Sequence, residues 1–313
     1  MHDRGDQVLG CLLGGAIGDA FGGPYEGLAS PDPAPDSRPW RISDDTQLTL
    51  ATCEAIIEAG GKVEPSVIAA RFARWFSEKR ISGIGASTYK ALSELVSGGH
   101  WALVGNKGER AAGNGAAMRI APLAFCLDPT DLQARRLIRD VSRITHHNEE
   151  AYAGALAFAV AVRAAWDGAW SGAENLLKII VDVLPDTQVR DRLIELDKLE
   201  GRLSIQEIGR RYGSSGFVVE SVPLALYGAQ RIAALGFEQM ILELISAGGD
   251  TNTVASMAGQ VAGTFIGRSS IDEGLVACLP DLQLVEIISI QFAEAVLDTS
   301  RIGPILNSHP PQE

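Results

Sequence analysis

Apolar residues along this chain recur mainly at helical spacing. Pro65 to Lys79 shows the pattern well: a proline suited to a first helical turn is followed by apolar positions at Val67, Ile68, Phe72, Trp75 and Phe76. Comparable patterns predict helices over roughly 45–59, 86–97, 129–144, 148–166, 172–184, 219–234, 237–246, 251–266 and 284–299. Two-residue alternation is almost absent. Phe217 to Val222 is the one tempting strand, and it reads equally well as a helix start. The breaks are short and rich in Gly or Pro, such as Gly83-Ile84-Gly85 and Gly248-Gly249. The expectation is one compact all-α domain spanning 1–313. Its longest irregular stretch is Ser30 to Arg41, with four prolines, and loops of that length are commonly functional or disordered.

Composition narrows the function classes. The 313 residues are 46% hydrophobic and 21% charged, ordinary for a globular enzyme, and a chain this long buries a sizeable core without staples. Its 27 Lys and Arg against 39 Asp and Glu leave a net charge of −12, the wrong sign for generic nucleic-acid binding. Four cysteines, Cys11, Cys53, Cys126 and Cys278, lie far apart in apolar runs and read as core residues, not a zinc motif or disulfide framework. The apolar run Val8 to Ile17 lacks the basic lead of a signal peptide, and no uncharged apolar stretch reaches about 18 residues. The expected compartment is the cytoplasm, with no membrane partner.

Two helix starts carry the candidate chemistry. Ser43-Asp44-Asp45-Thr46-Gln47 precedes the run Leu48 to Ile57, and Gln47 stands three residues after Asp44 as in a capping box. Gly248-Gly249-Asp250-Thr251-Asn252-Thr253 precedes Val254 to Ile266. Ordinary helix capping explains either motif alone, since Ser, Thr, Asp and Asn are preferred caps and carboxylates suit the positive helix end. Together they hold more oxygen ligands than two caps require. If the starts face each other, three carboxylates, a carboxamide and several hydroxyls converge. Packed carboxylates repel, and oxygen donors without His or Cys suit Mg²⁺ or Mn²⁺. Small residues at Ala255, Ala258, Gly259, Ala262 and Gly263 suit close packing of the second helix.

The motifs resemble those of ADP-ribosylglycohydrolases, including the dinitrogenase reductase-activating glycohydrolases. Gly14-Gly15-Ala16-Ile17-Gly18-Asp19-Ala20 with Gly23-Pro24-Tyr25-Glu26-Gly27 is similar to the family's opening. Ser43-Asp44-Asp45-Thr46 and Gly248 to Thr253 look like its two metal motifs, Gly113 to Arg119 its ligand loop, and Thr145-His146 its mid-chain histidine motif. The set appears in family order over residues 9–267.

The resemblance implies an all-α orthogonal helical bundle with two Mg²⁺ or Mn²⁺ ions. Their ligands would be Ser43 (or Thr46), Asp44, Asp45, Asp250, Asn252 and Thr253. It implies substrate contacts from Gly113, Asn114, Gly115, Met118 and His146, with the glycine-flanked Asn114 forming a nest for phosphate. Catalytic roles fall to Glu26 and to Asp45, the latter handling the proton of the attacking water because it could touch both metal and solvent. One residue departs: the family commonly has Asp where this chain has Asn252, which keeps an oxygen ligand and loses a charge. The implied reaction is hydrolysis of the bond between the distal ribose of ADP-ribose and an acceptor, on an ADP-ribosylated protein or an ADP-ribose-containing small molecule. Two alternatives remain at this level: a two-metal nucleotide phosphohydrolase, and a catalytically weakened ADP-ribose-binding or structural member.

Overall fold

The computed structural model describes residues 3–34 and 39–298. Residues 35–38 of the proline-rich stretch, His2, and position 299 of the last expected helix lie outside the described residues. Within them the chain is all-α. The helices run α1 Arg4–Gly22, α2 Asp44–Glu58, α3 Pro65–Ser77, α4 Ala86–Val96, α5 Ala121–Cys126, α6 Leu132–Arg143, α7 Glu149–Asp167 and α8 Leu176–Val181. They continue as α9 Gln188–Asp197, α10 Ile205–Tyr212, α11 Val218–Ala229, α12 Ile232–Leu235, α13 Phe237–Ser246, α14 Thr251–Ile266, α15 Glu273–Ala277 and α16 Leu282–Leu297. The extended pieces are β1 Asn106–Lys107 and β2 His146–His147, paired in parallel with Asn106 opposite His146. Phe217 to Val222 resolves as a helix start: Phe217 precedes α11 and makes only an isolated bridge to Gly113. No helix among the described residues is long and apolar enough to cross a membrane.

At the centre lie α1 and α14, antiparallel, glycine against glycine, and buried on nearly every side. A Cβ at Gly10 would stand 2.2 Å from Gly263 O, at Gly14 2.3 Å from Gly259 O, at Gly18 2.2 Å from Ala255 O, and at Gly22 2.6 Å from Thr251 O. The four glycines recur every fourth residue, so they form one ridge along α1. Its lack of side chains lets two backbones touch. Gln7 and Gln260 complete the packing: Gln7 Nε2 donates to Thr264 O at 3.1 Å and Gln260 Nε2 to Met118 O at 2.9 Å. Around this pair a continuous apolar core joins helices from both ends of the chain, including Phe72, Trp75, Phe158, Tyr227 and Phe292. The seam sets Gly18 against Ala255 and Gly22 against Thr251 and Asn252, so the end of α1, which carries Asp19, meets the start of α14.

Candidate active site

Asp19 is buried to 0% exposure and accepts four hydrogen bonds from the first turn of α2. Ser43 N donates at 2.8 Å, Ser43 Oγ at 2.6 Å, Thr46 N at 3.2 Å and Thr46 Oγ1 at 2.6 Å. A carboxylate on one helix thus caps another, satisfying N–H groups that a helix start leaves open. Ser43 is the N-cap of α2, and its hydroxyl also accepts from Asp45 N at 3.4 Å. The capping box expected for Gln47 does not form, because Ser43 rather than Asp44 is the cap and Gln47 falls one position too late. Its carboxamide instead holds Ser82, accepting from Ser82 N at 2.7 Å.

The two acidic helix starts meet. Asp45 Oδ2 accepts from Asn252 Nδ2 at 3.2 Å and from Thr253 Oγ1 at 3.2 Å, with Ser43 Oγ 3.1 Å away. Asp45 Oδ1 and Asn252 Oδ1 are buried without a hydrogen-bond partner among the described residues. Asp45 is only 1% exposed and does not line the cleft, so the expected solvent contact of this residue is absent. Its neighbour Asp44 does line it.

Two glycines bring the second start into place. Gly248 and Gly249 adopt φ of +76° and +78°, and a Cβ on Gly248 would lie 2.5 Å from both Leu28 O and Ala29 O. That close approach allows a backbone clasp with the loop carrying Glu26: Gly27 N donates to Gly249 O at 2.8 Å and Gly249 N to Leu28 O at 2.9 Å. Glu26 is therefore tied to the Asp250 turn. On the other side, Asn114 Nδ2 donates to Asp250 Oδ2 at 2.7 Å. The backbone N–H of Asn114 is spent on Gly216 O at 3.0 Å, so the expected phosphate nest lacks its central donor. Asn114 orients a carboxylate instead. His146 is placed by the β1–β2 pair, with its ring against Gly113 and Gly115.

These elements enclose a cleft of about 250 Å³. Glu26, Asp44, Gly113, Asn114, Gly115, Met118, His146, Asp250, Asn252 and Thr253 all line it, so ten of the twelve expected site residues share one cavity. The other two, Ser43 and Asp45, sit just beneath, hydrogen-bonded to that lining. A larger groove of about 910 Å³, between α1, the end of α2 and α16, is mainly apolar and holds no comparable convergence of polar groups. Sequence reasoning gave no role to Ser87, Thr88 and Gly216, which also line the cleft. It missed Asp19 as well, whose signal was a lone carboxylate inside the apolar, glycine-rich run of α1.

The electrostatics are those of an acid cluster short of positive charge. Burial, then the Asp19 and Asp44 carboxylates, push Asp45 well above the usual range. Burial, then Asp19 and Asp250, do the same to Asp44. Asp250 is raised by burial, less so for the hydrogen bonds it accepts, and Glu26 is raised by burial and then by Asp250 and Asp19. Burial, then Arg119 and His147, lower His146 to about 3, so it is neutral. Among the described residues no three His, Cys, Asp or Glu side chains form a ready coordination sphere by themselves. The donors that do converge are mixed oxygens from Asp, Asn, Thr and Ser. Two of them are buried acceptors without a donor, and an all-oxygen set of this kind fits a hard divalent cation.

The chain is similar to known proteins along most of its length. The chain is 27% identical to human ADP-ribosylhydrolase ARH3 over 321 residues, covering 85% of this chain and 87% of the relative. It is 25% identical over 297 residues to the ADP-ribosyl-[dinitrogen reductase] glycohydrolase of Rhodospirillum rubrum, covering 89% and 91%. A solved structure described as an ADP-ribosylglycohydrolase-related protein complex superposes with a TM-score of 0.73 at 26% identity, over 95% of this chain and all of that one. The ADP-ribosylglycohydrolase family profile matches residues 1–301, and the chain belongs to that family.

Proposed function

We propose that this protein hydrolyses the glycosidic bond between the distal ribose of ADP-ribose and an acceptor, with two divalent cations, Mg²⁺ or Mn²⁺, in the cleft. The observation that carries the proposal is the meeting of the α2 and α14 starts, which gathers oxygens from Asp44, Asp45, Asp250, Asn252 and Thr253 under the Glu26 loop. Those five residues, with Ser43, would hold the ions. When bound, the ions supply Lewis-acid polarisation and a template for the ribose hydroxyls.

The chain's own groups divide the remaining work. Asn114 fixes the Asp250 carboxylate, and Asp19 fixes the first turn of α2, so the donor oxygens are rigid before substrate arrives. Glu26, raised above the ordinary carboxylate range by burial and then by Asp250 and Asp19, stands at the cleft edge, where it can accept or release a proton. It takes over the role first expected of Asp45, which solvent does not reach. His146 is a neutral ring that can contact a diphosphate without adding charge. The acceptor is a protein side chain or a small molecule carrying ADP-ribose.

The test is to incubate the protein with ADP-ribosyl-arginine, ADP-ribosyl-serine and O-acetyl-ADP-ribose, with Mg²⁺ or EDTA, and weigh the products. Intact ADP-ribose released only with the cation is the expected result. Products split at the diphosphate would instead assign a phosphohydrolase.

A further inference from the structure

Arg119 is a cation in the deep interior. It ends the ligand loop, is 0% exposed, and lies over the Phe72 ring with 4.7 Å from Cζ to the centroid. Its Nη2 donates to Thr145 Oγ1 at 2.7 Å, while Nε and Nη1 have no hydrogen-bond partner among the described residues. Burial brings its pKa down to about 9, which leaves it charged at neutral pH. A buried guanidinium with a single hydrogen bond is costly, and such a group calls for a role.

Thr145 Oγ1 stands between that guanidinium and His146 Nδ1, 2.7 Å away on the other side. Arginine only donates, so the threonine oxygen accepts on the Arg119 side. The single hydroxyl hydrogen then has one acceptor among the described residues, His146 Nδ1. Were Nδ1 protonated, two N–H groups would aim at one oxygen and the buried hydroxyl hydrogen would have no acceptor. The imidazole hydrogen is therefore on Nε2. That atom makes no hydrogen bond within the described protein, and its ring lines the cleft. The space before it is kept open by glycine: a Cβ at Gly113 would lie 3.1 Å from Nε2, and one at Gly115 2.9 Å from Cε1.

We propose that Arg119 and Thr145 are positioning residues that lock His146 as the neutral Nε2–H tautomer, a fixed hydrogen-bond donor to an oxygen of the bound ligand. The ligand's identity as ADP-ribose rests on the function proposed above; the tautomer does not. His146 has no lone pair to offer the cleft, so it cannot serve as a general base there, and proton handling stays with Glu26.

Long-range ¹⁵N–¹H spectra of protein labelled at histidine read the tautomer directly, with His146 assigned by its loss in His146→Gln. The wild type is expected to show Nε2–H, neutral, between pH 8 and 6. Thr145→Val should give mixed tautomers and bind ADP-ribose about tenfold more weakly by calorimetry, the scale of one lost buried hydrogen bond. Thr145→Ser should restore both. An Nδ1–H or doubly protonated His146 in the wild type overturns the proposal without any variant having to fold. So does an unaltered tautomer in Thr145→Val. Failure of wild-type protein to bind ADP-ribose would reject the ligand assignment, while the tautomer spectra judge the relay independently.

Discussion

Replacing Gly14 by alanine tests whether the α1–α14 seam builds the site. In an ordinary helix interior the change stabilises by roughly 0.5–1 kcal/mol, because glycine loses more backbone freedom on folding. Here the new methyl would stand 2.3 Å from Gly259 O and 3.1 Å from Gly259 C. Ordinary contact begins at 3.4 Å, so the carbonyl contact falls about 1.1 Å short. The obstruction is backbone, which has no rotamer to escape into. Overpacking typically costs about 1–3 kcal/mol, and an immovable wall favours the upper end. Subtracting the helix gain leaves a net loss of about 2 kcal/mol.

With unfolding entropy near ~2.1 cal/mol/K per residue, a 313-residue chain responds with a drop of about 3 °C in Tm. Activity should fall more than stability. Separating the helices by ~1 Å moves the end of α1 away from the start of α14, and misplacement of that size can cost about 10²-fold in rate. Gly5→Ala is the control on the same helix. Its methyl would meet only the mobile ends of Asp3, at 3.2 Å, and Leu297, at 3.7 Å, so Tm should hold or rise slightly. Calorimetry and turnover of the two variants decide the matter. A Gly14→Ala protein with wild-type Tm and activity would refute the seam argument.

The other predictions concern the acid cluster. Stripping metal with EDTA should abolish turnover and lower Tm, since an ion that binds only the folded state stabilises it; full activity in excess EDTA would sink the two-cation reading. The Tm gain from saturating Mg²⁺ should grow as pH rises above the ordinary carboxylate range. The raised carboxyls stabilise the metal-free fold when protonated and lose that contribution as pH rises through their folded values, whereas His146 is common to both states; a gain independent of pH would contradict this. Glu26→Gln should cut kcat at least tenfold and leave Mn²⁺ affinity within about twofold, because its proposed role is to handle a proton at the cleft edge; an unchanged kcat would make Glu26 a surface residue. Asn114→Ala removes the donor to Asp250 and should weaken Mn²⁺ binding by about 1–3 kcal/mol; unaltered metal affinity would show that Asp250 needs no such support.

Much of this was legible in the sequence, for reasons that differ by element. Amphipathic helices such as α3 show their apolar face, and the acidic starts of α2 and α14 carry residues in excess of capping needs. Helix α1 was harder. Glycine lowers its helix propensity, and because the helix is buried from Gln7 to Gly22 apart from Leu9 it has no polar face there to set a 3.6-residue rhythm. Helices α9 and α10 are short and highly charged, held by local caps such as the Ser204–Glu207 capping box. The pair β1–β2 is two residues per strand, below any periodicity. Asn114 shows a different limit: local sequence suggested a phosphate turn, yet its amide bonds a carboxylate 136 positions away.

Asn252 is where sequence and structure meet most closely. Asp at that position would place a further carboxylate against Asp45, which already carries repulsion from Asp19, Asp44 and Asp250. Asn turns that contact into attraction, its Nδ2 donating to Asp45 Oδ2 at 3.2 Å, while Oδ1 is left as a buried acceptor. The substitution thus relieves the empty cluster and removes one negative charge from the filled one. Since ligand charge tunes affinity for hard cations, one ion should bind tightly and the second more weakly, completed by substrate hydroxyls. Asn252→Asp should reverse the balance, with tighter second-site Mn²⁺ binding and a lower metal-free Tm. Titration of both proteins, with and without ADP-ribose, measures it. Equal affinities and equal metal-free stability would mean that Asn252 bears on neither state.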